Sequence, residues 1–271
     1  MTAAPGASPT SGMGVRGQLP VGLTRGLVVA EILILLALSL GRSGVYALVS
    51  FLGDLTSGVP LAQQTAVLND SLAPGRPWLD LVRQVLRVAF ALAPVALVWY
   101  LLVRSGEGVR ALGIDRREPR RDLLRGLGLA ALVGGVGLVG YLVAYRSGAN
   151  LAVVAADLPE AWWRWPVLIA AALQNSVLEE VVVLGFLMRR LTQLGWSPWA
   201  TIVTSALVRG SYHLYQGIGG LLGNIAMGLL FGWLFRRWGR VLPMVVAHAL
   251  IDIVAFVGYA LLSGRVDWLP G

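Results

Sequence analysis

The sequence predicts an all-α fold, a polytopic transmembrane helix bundle of about seven spans. Three observations predict it. The 271 residues are 56% hydrophobic and only 13% charged, where a soluble domain carries about a quarter charged residues. The apolar residues gather in runs long enough to cross a bilayer, which takes about 20 residues. The connectors between those runs alternate between many Arg and few.

In chain order, residues 1–20 are rich in Gly, Pro, Ser and Thr and are expected to form a disordered N-terminal tail. Residues 21–271 form a single transmembrane domain. The first apolar run, Gly26–Leu52, is too long for the h-region of a signal peptide and reads as the first span. Gly41-Arg42-Ser43-Gly44 interrupts it and predicts a kink. The later spans are expected at Leu79–Val103, Asp122–Tyr145, Trp165–Met188, Trp199–Leu214, Gly217–Phe235 and Val241–Ser263. Arg16, Arg25, the run Arg104–Arg121, Arg189, Arg190, Arg236, Arg237 and Arg240 fall on one side of this arrangement. Few lie on the other. The positive-inside rule then puts the N-terminus inside and the C-terminus outside a cell membrane.

All 22 basic residues are Arg, and the net charge is +8. Most sit between spans, so they serve as topology signals and contacts to membrane lipid rather than as a nucleic-acid face. The chain has no Cys, which excludes disulfides, thiolate metal sites and Cys nucleophiles. Gly220, Asn224, Gly228 and Gly232 recur every fourth residue on the sixth span and predict a close helix–helix contact. The Gly-rich third span is a second such candidate. Trp78, Trp162, Trp163, Trp165, Trp196, Trp199, Trp238 and Trp268, near span ends, read as an interfacial belt.

The chemistry concentrates in three late spans. Glu179 and Glu180 stand side by side inside the fourth. An ionisable group at that depth costs at least about 2.5 kcal/mol on insertion scales and normally has a partner or a function. The only two His residues, His213 and His248, fall in the fifth and seventh apolar runs. Arg209 and His213 are four apart, as are His248 and Asp252, so each pair shares a helix face. None of these groups faces lipid cheaply, so a cavity is expected between the fourth, fifth and seventh spans. Asn224, on the sixth, is a supporting candidate. A carboxylate with a His can activate a water for attack on a carbonyl and return the proton to the leaving amine. Glu179, His213 and His248 could also hold a divalent ion such as zinc, although no His-Glu-x-x-His helix is present. Helix-length arithmetic puts His213 roughly 10–15 Å nearer the outer face than Glu179.

Glu-Glu followed by an apolar turn and Gly185, then His213 after a short polar turn, then His-x-x-x-Asp, resembles the CPBP family of intramembrane metalloproteases. That family includes the type II CAAX prenyl endopeptidases and the Abi-type homologues associated with bacteriocin self-immunity. The resemblance covers about residues 165–263. It implies an intramembrane endopeptidase acting on a membrane-associated or lipidated peptide. Glu179 would be the water-activating base and His213 its assistant. His248 and Asp252 would stabilise the oxyanion or bind metal. Two positions depart from the family pattern: Leu184 stands where an Arg is usual, and Arg209 where a Phe is usual. One reading takes both as a single change, with Arg209 supplying the cation to the Glu pair; the other reading is a purely structural pair with Glu180. Two further functions compete with the protease. One is a catalytically silent scaffold or immunity-type member of the same family. The other is a proton-coupled transporter, against which the polar groups all lie in the C-terminal half, with no inverted repeat.

Overall fold

The computed structural model describes residues 14–148 and 150–269. Most of the expected tail therefore lies outside the described residues. From Gly14 onward the chain is tied down: the Gly17 amide donates to Thr192 O at 3.1 Å, and Arg16 Nε to Gly195 O at 3.0 Å.

Helix α1 (Arg25–Ala37) begins behind Thr24, whose hydroxyl oxygen accepts from the Leu27 amide and caps the first turn. Helix α2 (Leu40–Thr56) follows at an angle of 50°. The predicted kink is present, but at Leu38–Ser39, just before the Gly41–Gly44 interruption. Ser39 Oγ donates back to Leu35 O, and Gly41 tucks into the preceding turn. A Cβ on Gly41 would lie 2.8 Å from Leu36 O.

Helices α3 (Pro77–Ala91) and α4 (Ala93–Arg104) run on as one 28-residue span, and α5 (Pro119–Arg146) is another of 28. Helix α6 (Arg164–Glu179) continues through a π-helical segment, Glu180–Leu187, into α7 (Met188–Gln193), making one 30-residue rod. The 14-residue α8 (Pro198–Ser211) returns, and α9 (Ile218–Trp238) and α10 (Leu242–Leu262) complete the bundle. Among the described residues, five helices are long and apolar enough to cross a membrane, or six with the bent α1–α2 pair counted once. The chain is thus an all-helical, multi-pass membrane protein apart from one small sheet. The fifth expected span falls short as a helix. At about 1.5 Å per residue, α8 extends roughly 21 Å, against a hydrocarbon core of about 30 Å. Its helical bonding stops at Ser211, and a 3-10 turn at Leu214–Gln216 carries the chain on to Gly217.

Burial identifies the central rod. In the apolar stretch of 164–193, 67% of residues are inside the protein, against 6% for α5. Helix α10 packs against both α5 and α6, and α8 lies along α9. The small-residue stripe of α9 makes that last contact. A Cβ on Gly228 would lie 2.8 Å from Ala206 Cα, and one on Gly232 would lie 3.2 Å from Ile202 Cγ2. On α5 only part of the glycine set works this way. Gly126 backs onto Val246, whereas Gly128, Gly135, Gly137 and Gly140 face open space. The Trp belt has a comparable exception. Trp78, Trp162, Trp199 and Trp268 are exposed, but Trp163 is buried in a second core with Leu168, Phe256 and Tyr259.

The sheet was not expected from the sequence. Strand β1 (Thr65–Val67) pairs in parallel with β2 (Ala152–Val154), with Ala66 opposite Val153. Asn69 Nδ2 extends the pairing by donating to Ala155 O at 2.9 Å. Three-residue strands carry too little periodicity to be read from sequence. The sheet joins the two connectors at the Arg-poor end of the bundle.

Candidate functional site

The site starts from the change of helical pitch at the Glu pair. Glu179 closes α6 and Glu180 opens the π-segment. A π-segment inside an α-helix is rare and is frequent at functional sites. Its backbone is supported from outside: Ser205 Oγ on α8 donates to Val183 O at 3.0 Å. Gly185 lets α4's following turn close in, since a Cβ there would lie 3.0 Å from Leu112 Cδ1.

The two carboxylates have different surroundings. Glu180 is fully buried at 0% exposure. Its Oε1 accepts from Arg209 Nη2 and from His248 Nδ1, the latter at 2.8 Å. Arg209 is 1% exposed and sits over the Phe231 ring. Glu179 is 8% exposed, and its Oε2 accepts from the Tyr212 hydroxyl at 2.9 Å. Among the described residues, no Arg or His lies within ion-pair distance of Glu179, while Glu180 has two. One acid of the pair is therefore neutralised by cations, and its neighbour meets a neutral hydroxyl.

Arg209 joins the two halves. Its guanidinium bonds Glu180, and its backbone carbonyl lies 3.0 Å from His213 Nδ1. A carbonyl only accepts, so Nδ1 is the protonated nitrogen and Nε2 of a neutral ring is left as an acceptor. His248 differs: Nδ1 donates to the Glu180 carboxylate and Nε2 faces the Asp252 carboxylate, Oδ2 at 3.6 Å, so a proton on each nitrogen suits both neighbours. The structure thus brings Glu179, Glu180, Arg209, His213, His248 and Asp252 into one set of contacts, drawn from α6, α8 with its following turn, and α10. Asn224 is not joined to them by a hydrogen bond; its Nδ2 donates to Gly220 O on its own helix at 3.0 Å.

The expected depth difference for His213 disappears. The Tyr212 and His213 rings are 4.7 Å apart, and Tyr212 reaches Glu179. The reason lies at the turn between the rod and α8. The rod runs on past the Glu pair to Gln193, and α8 starts at Pro198. Glu179 to Gln193 and Pro198 to Tyr212 are equal stretches of 14 steps along the chain, so the two ends return to one level. Tyr212 is the site residue that sequence reasoning missed. Its only signal was its place beside His213 in a polar turn, three residues after Arg209.

The residues do not form a ready metal set. Among the described residues, no three of His, Asp and Glu converge as ligands. His248 has each ring nitrogen turned to a carboxylate. Glu179, His213 and His248 as arranged do not fit a shared ion, and no step below is routed through one.

Residues 161–254 match the family model described as type II CAAX prenyl endopeptidase Rce1-like. All of the grouped side chains fall within that stretch. No curated protein and no solved structure matches the chain.

Proposed function

We propose that this chain, CAAX-protease-like over residues 161–254, is an intramembrane endopeptidase that hydrolyses a peptide bond with water activated by Glu179. The observation that carries the reading is the unequal treatment of two adjacent acids. Glu180 is held by Arg209 and His248, whereas Glu179 is left with the Tyr212 hydroxyl. A base must be able to take a proton, and a carboxylate locked to a guanidinium is poorly suited to that. Glu179 takes the proton as the water attacks the carbonyl carbon, and passes it to the amine as the C–N bond breaks. His213, with Nδ1 fixed by Arg209 O, offers Nε2 to orient the water. His248, with a proton on Nε2 beside Asp252 Oδ2, provides the donor for the developing oxyanion, and Asp252 orients it. Arg209 acts as a positioning residue in place of the cation absent at Leu184.

The substrate class that fits is a membrane-associated or lipidated peptide, and the cell membrane is the proposed location, with the Arg-rich end inside. The test uses the full chain in lipid with a panel of membrane-peptide substrates, comparing wild type with Glu179→Gln. The reading expects cleavage by wild type and a loss of at least a hundredfold in the variant, with an unchanged thermal midpoint. No cleavage by the wild type across the panel would overturn it in favour of a silent scaffold, and cleavage that survives the substitution would remove Glu179 as the base. A chelator titration of the active sample reports on metal use.

A further inference from the structure

Helix α2 carries a cation that the site above does not use. Arg42 lies about midway along the bent α1–α2 pair, Arg25–Thr56. Among the described residues it has no acidic partner. Arg83 and Arg87 on α3, by contrast, bond to Leu72 O and Asp70. Arg42 lines a cleft of about 450 Å³ together with Ser43, Tyr46, Ser50, Tyr212 and Tyr215. Two facts tie this cleft to the candidate site. Tyr212 forms part of its wall while its hydroxyl bonds Glu179. Gly44, one turn from Arg42's end of the helix, lies against the α8 end, where a Cβ would meet Ser211 Oγ at 2.6 Å. Arg42 is therefore near the level of the Glu pair.

An unpaired guanidinium at bilayer depth is costly and is found where an anion or water meets it. A guanidinium pairs best with a planar carboxylate through two parallel hydrogen bonds. The same cleft is lined by the hydroxyl-bearing Ser43, Tyr46, Ser50 and Tyr215, which are donors suited to the remaining lone pairs, while the Tyr212 hydroxyl is committed to Glu179.

We propose that Arg42 is a specificity-determining residue, forming with Ser43, Tyr46 and Tyr215 a subsite for a carboxylate of the peptide bound at Glu179. Helix α2 presents Arg42, Ser43 and Tyr46 from outside the family-matched segment, and Tyr215 comes from within it. The inference rests on the hydrolase reading, and binding separates the two. Fluorescein-labelled apolar peptides are prepared in three forms: with a free C-terminal carboxylate, with a C-terminal amide, and with the amide plus one internal Glu. Their Kd values are measured for the Glu179→Gln full chain, with and without Arg42→Gln, in neutral phosphatidylcholine nanodiscs and again with anionic phosphatidylglycerol. The proposal expects about tenfold tighter binding of a carboxylate form over the plain amide. That preference disappears with Arg42→Gln and survives Arg42→Lys in part and Arg83→Gln in full. Which carboxylate form wins distinguishes a terminal from a side-chain acid. Equal binding of all three forms would overturn the proposal. So would an equal loss for every form in Arg42→Gln, or a preference abolished by phosphatidylglycerol, which would assign the cleft to lipid phosphate. A retained preference with no hydrolysis by the wild type would instead sink the hydrolase reading alone.

Discussion

Arg209 is the residue on which both halves of the site depend. Its side chain neutralises Glu180, and its carbonyl fixes the His213 ring. Both ionic groups are fully inside the protein, so the pair is not a simple gain in stability. Removing one partner leaves an uncompensated buried charge, which costs about 3–5 kcal/mol. Arg209→Leu is accordingly expected to lower stability by that order, measured by thermal or denaturant unfolding in detergent. Leu184 lies four residues beyond Glu180 on the π-segment, itself buried. Adding Leu184→Arg to Arg209→Leu is expected to recover part of the loss, because the cation returns to the same acid from the neighbouring position. No recovery of fold or activity in the double variant would refute the exchange and leave Arg209–Glu180 as a structural pair only.

The helices place these residues through close backbone contacts. Gly210 is the clearest case: a Cβ there would lie 2.5 Å from Ile225 Cγ1 and 3.0 Å from Leu221 O. It lets α8 end against α9 just before Tyr212 and His213. Gly210→Ala is expected to push these helices apart and cost about 1–3 kcal/mol, as overpacking does. Ile225→Ala should relieve part of that cost, and unfolding midpoints of the two single variants and the double check it. At this scale the sequence was informative where a residue was chemically out of place. Two acids, two His and an Asp inside apolar runs stand out in any reading, because the bilayer leaves them few alternatives. The α9 stripe was equally legible, since small residues at every fourth position mark one face. Tyr212 was not, because tyrosine is common at membrane interfaces and its role depends on reaching Glu179 from another helix. Nor was the π-segment: Val181, Val182, Val183 and Leu184 read as ordinary buried helix, and the bond to Val183 O comes from Ser205, a residue distant in sequence. The short α8 was misjudged for a related reason, because hydropathy does not register where helical bonding ends.

Across the whole molecule, the Arg-rich end is a network as well as a topology signal. Glu107 accepts from Arg189 Nε at 2.7 Å and from Arg190 Nη1, and Arg190 also contacts Glu31 at 3.2 Å. This ties the α4–α5 connector and α1 to α7, the end of the central rod. Arg240 does the same for the α9–α10 corner, bonding Asp115 at 2.8 Å and Asp122. Burial alone would raise the pKa of Glu107, but the charges of Arg189 and Arg190 and their hydrogen bonds outweigh it and hold the carboxyl below its ordinary value. Burial likewise opposes the shift at Asp115, where bonds from the Arg117 amide and from Arg240 lower it. A carboxylate lowered in the folded state contributes stability that is fully present above its unfolded pKa of about 4. That contribution is lost as the pH falls through the lower folded value. The thermal midpoint is therefore expected to hold from neutral pH down to about pH 5 and to fall below about pH 4. Glu107→Gln should lower the midpoint at neutral pH and flatten the acid slope. An unchanged slope in that variant would remove Glu107 from the account.

All of these levels meet in one claim, that neighbouring carboxylates on the central rod have separate roles because a pitch change and Arg209 give them separate surroundings. The most direct test measures peptide cleavage in lipid and the thermal midpoint side by side for wild type, Glu179→Gln and Glu180→Gln. The account predicts that Glu179→Gln loses cleavage while keeping the midpoint, and that Glu180→Gln lowers the midpoint by stranding the buried Arg209. A Glu179→Gln protein that still cleaves, or one that unfolds as readily as Glu180→Gln, would contradict it.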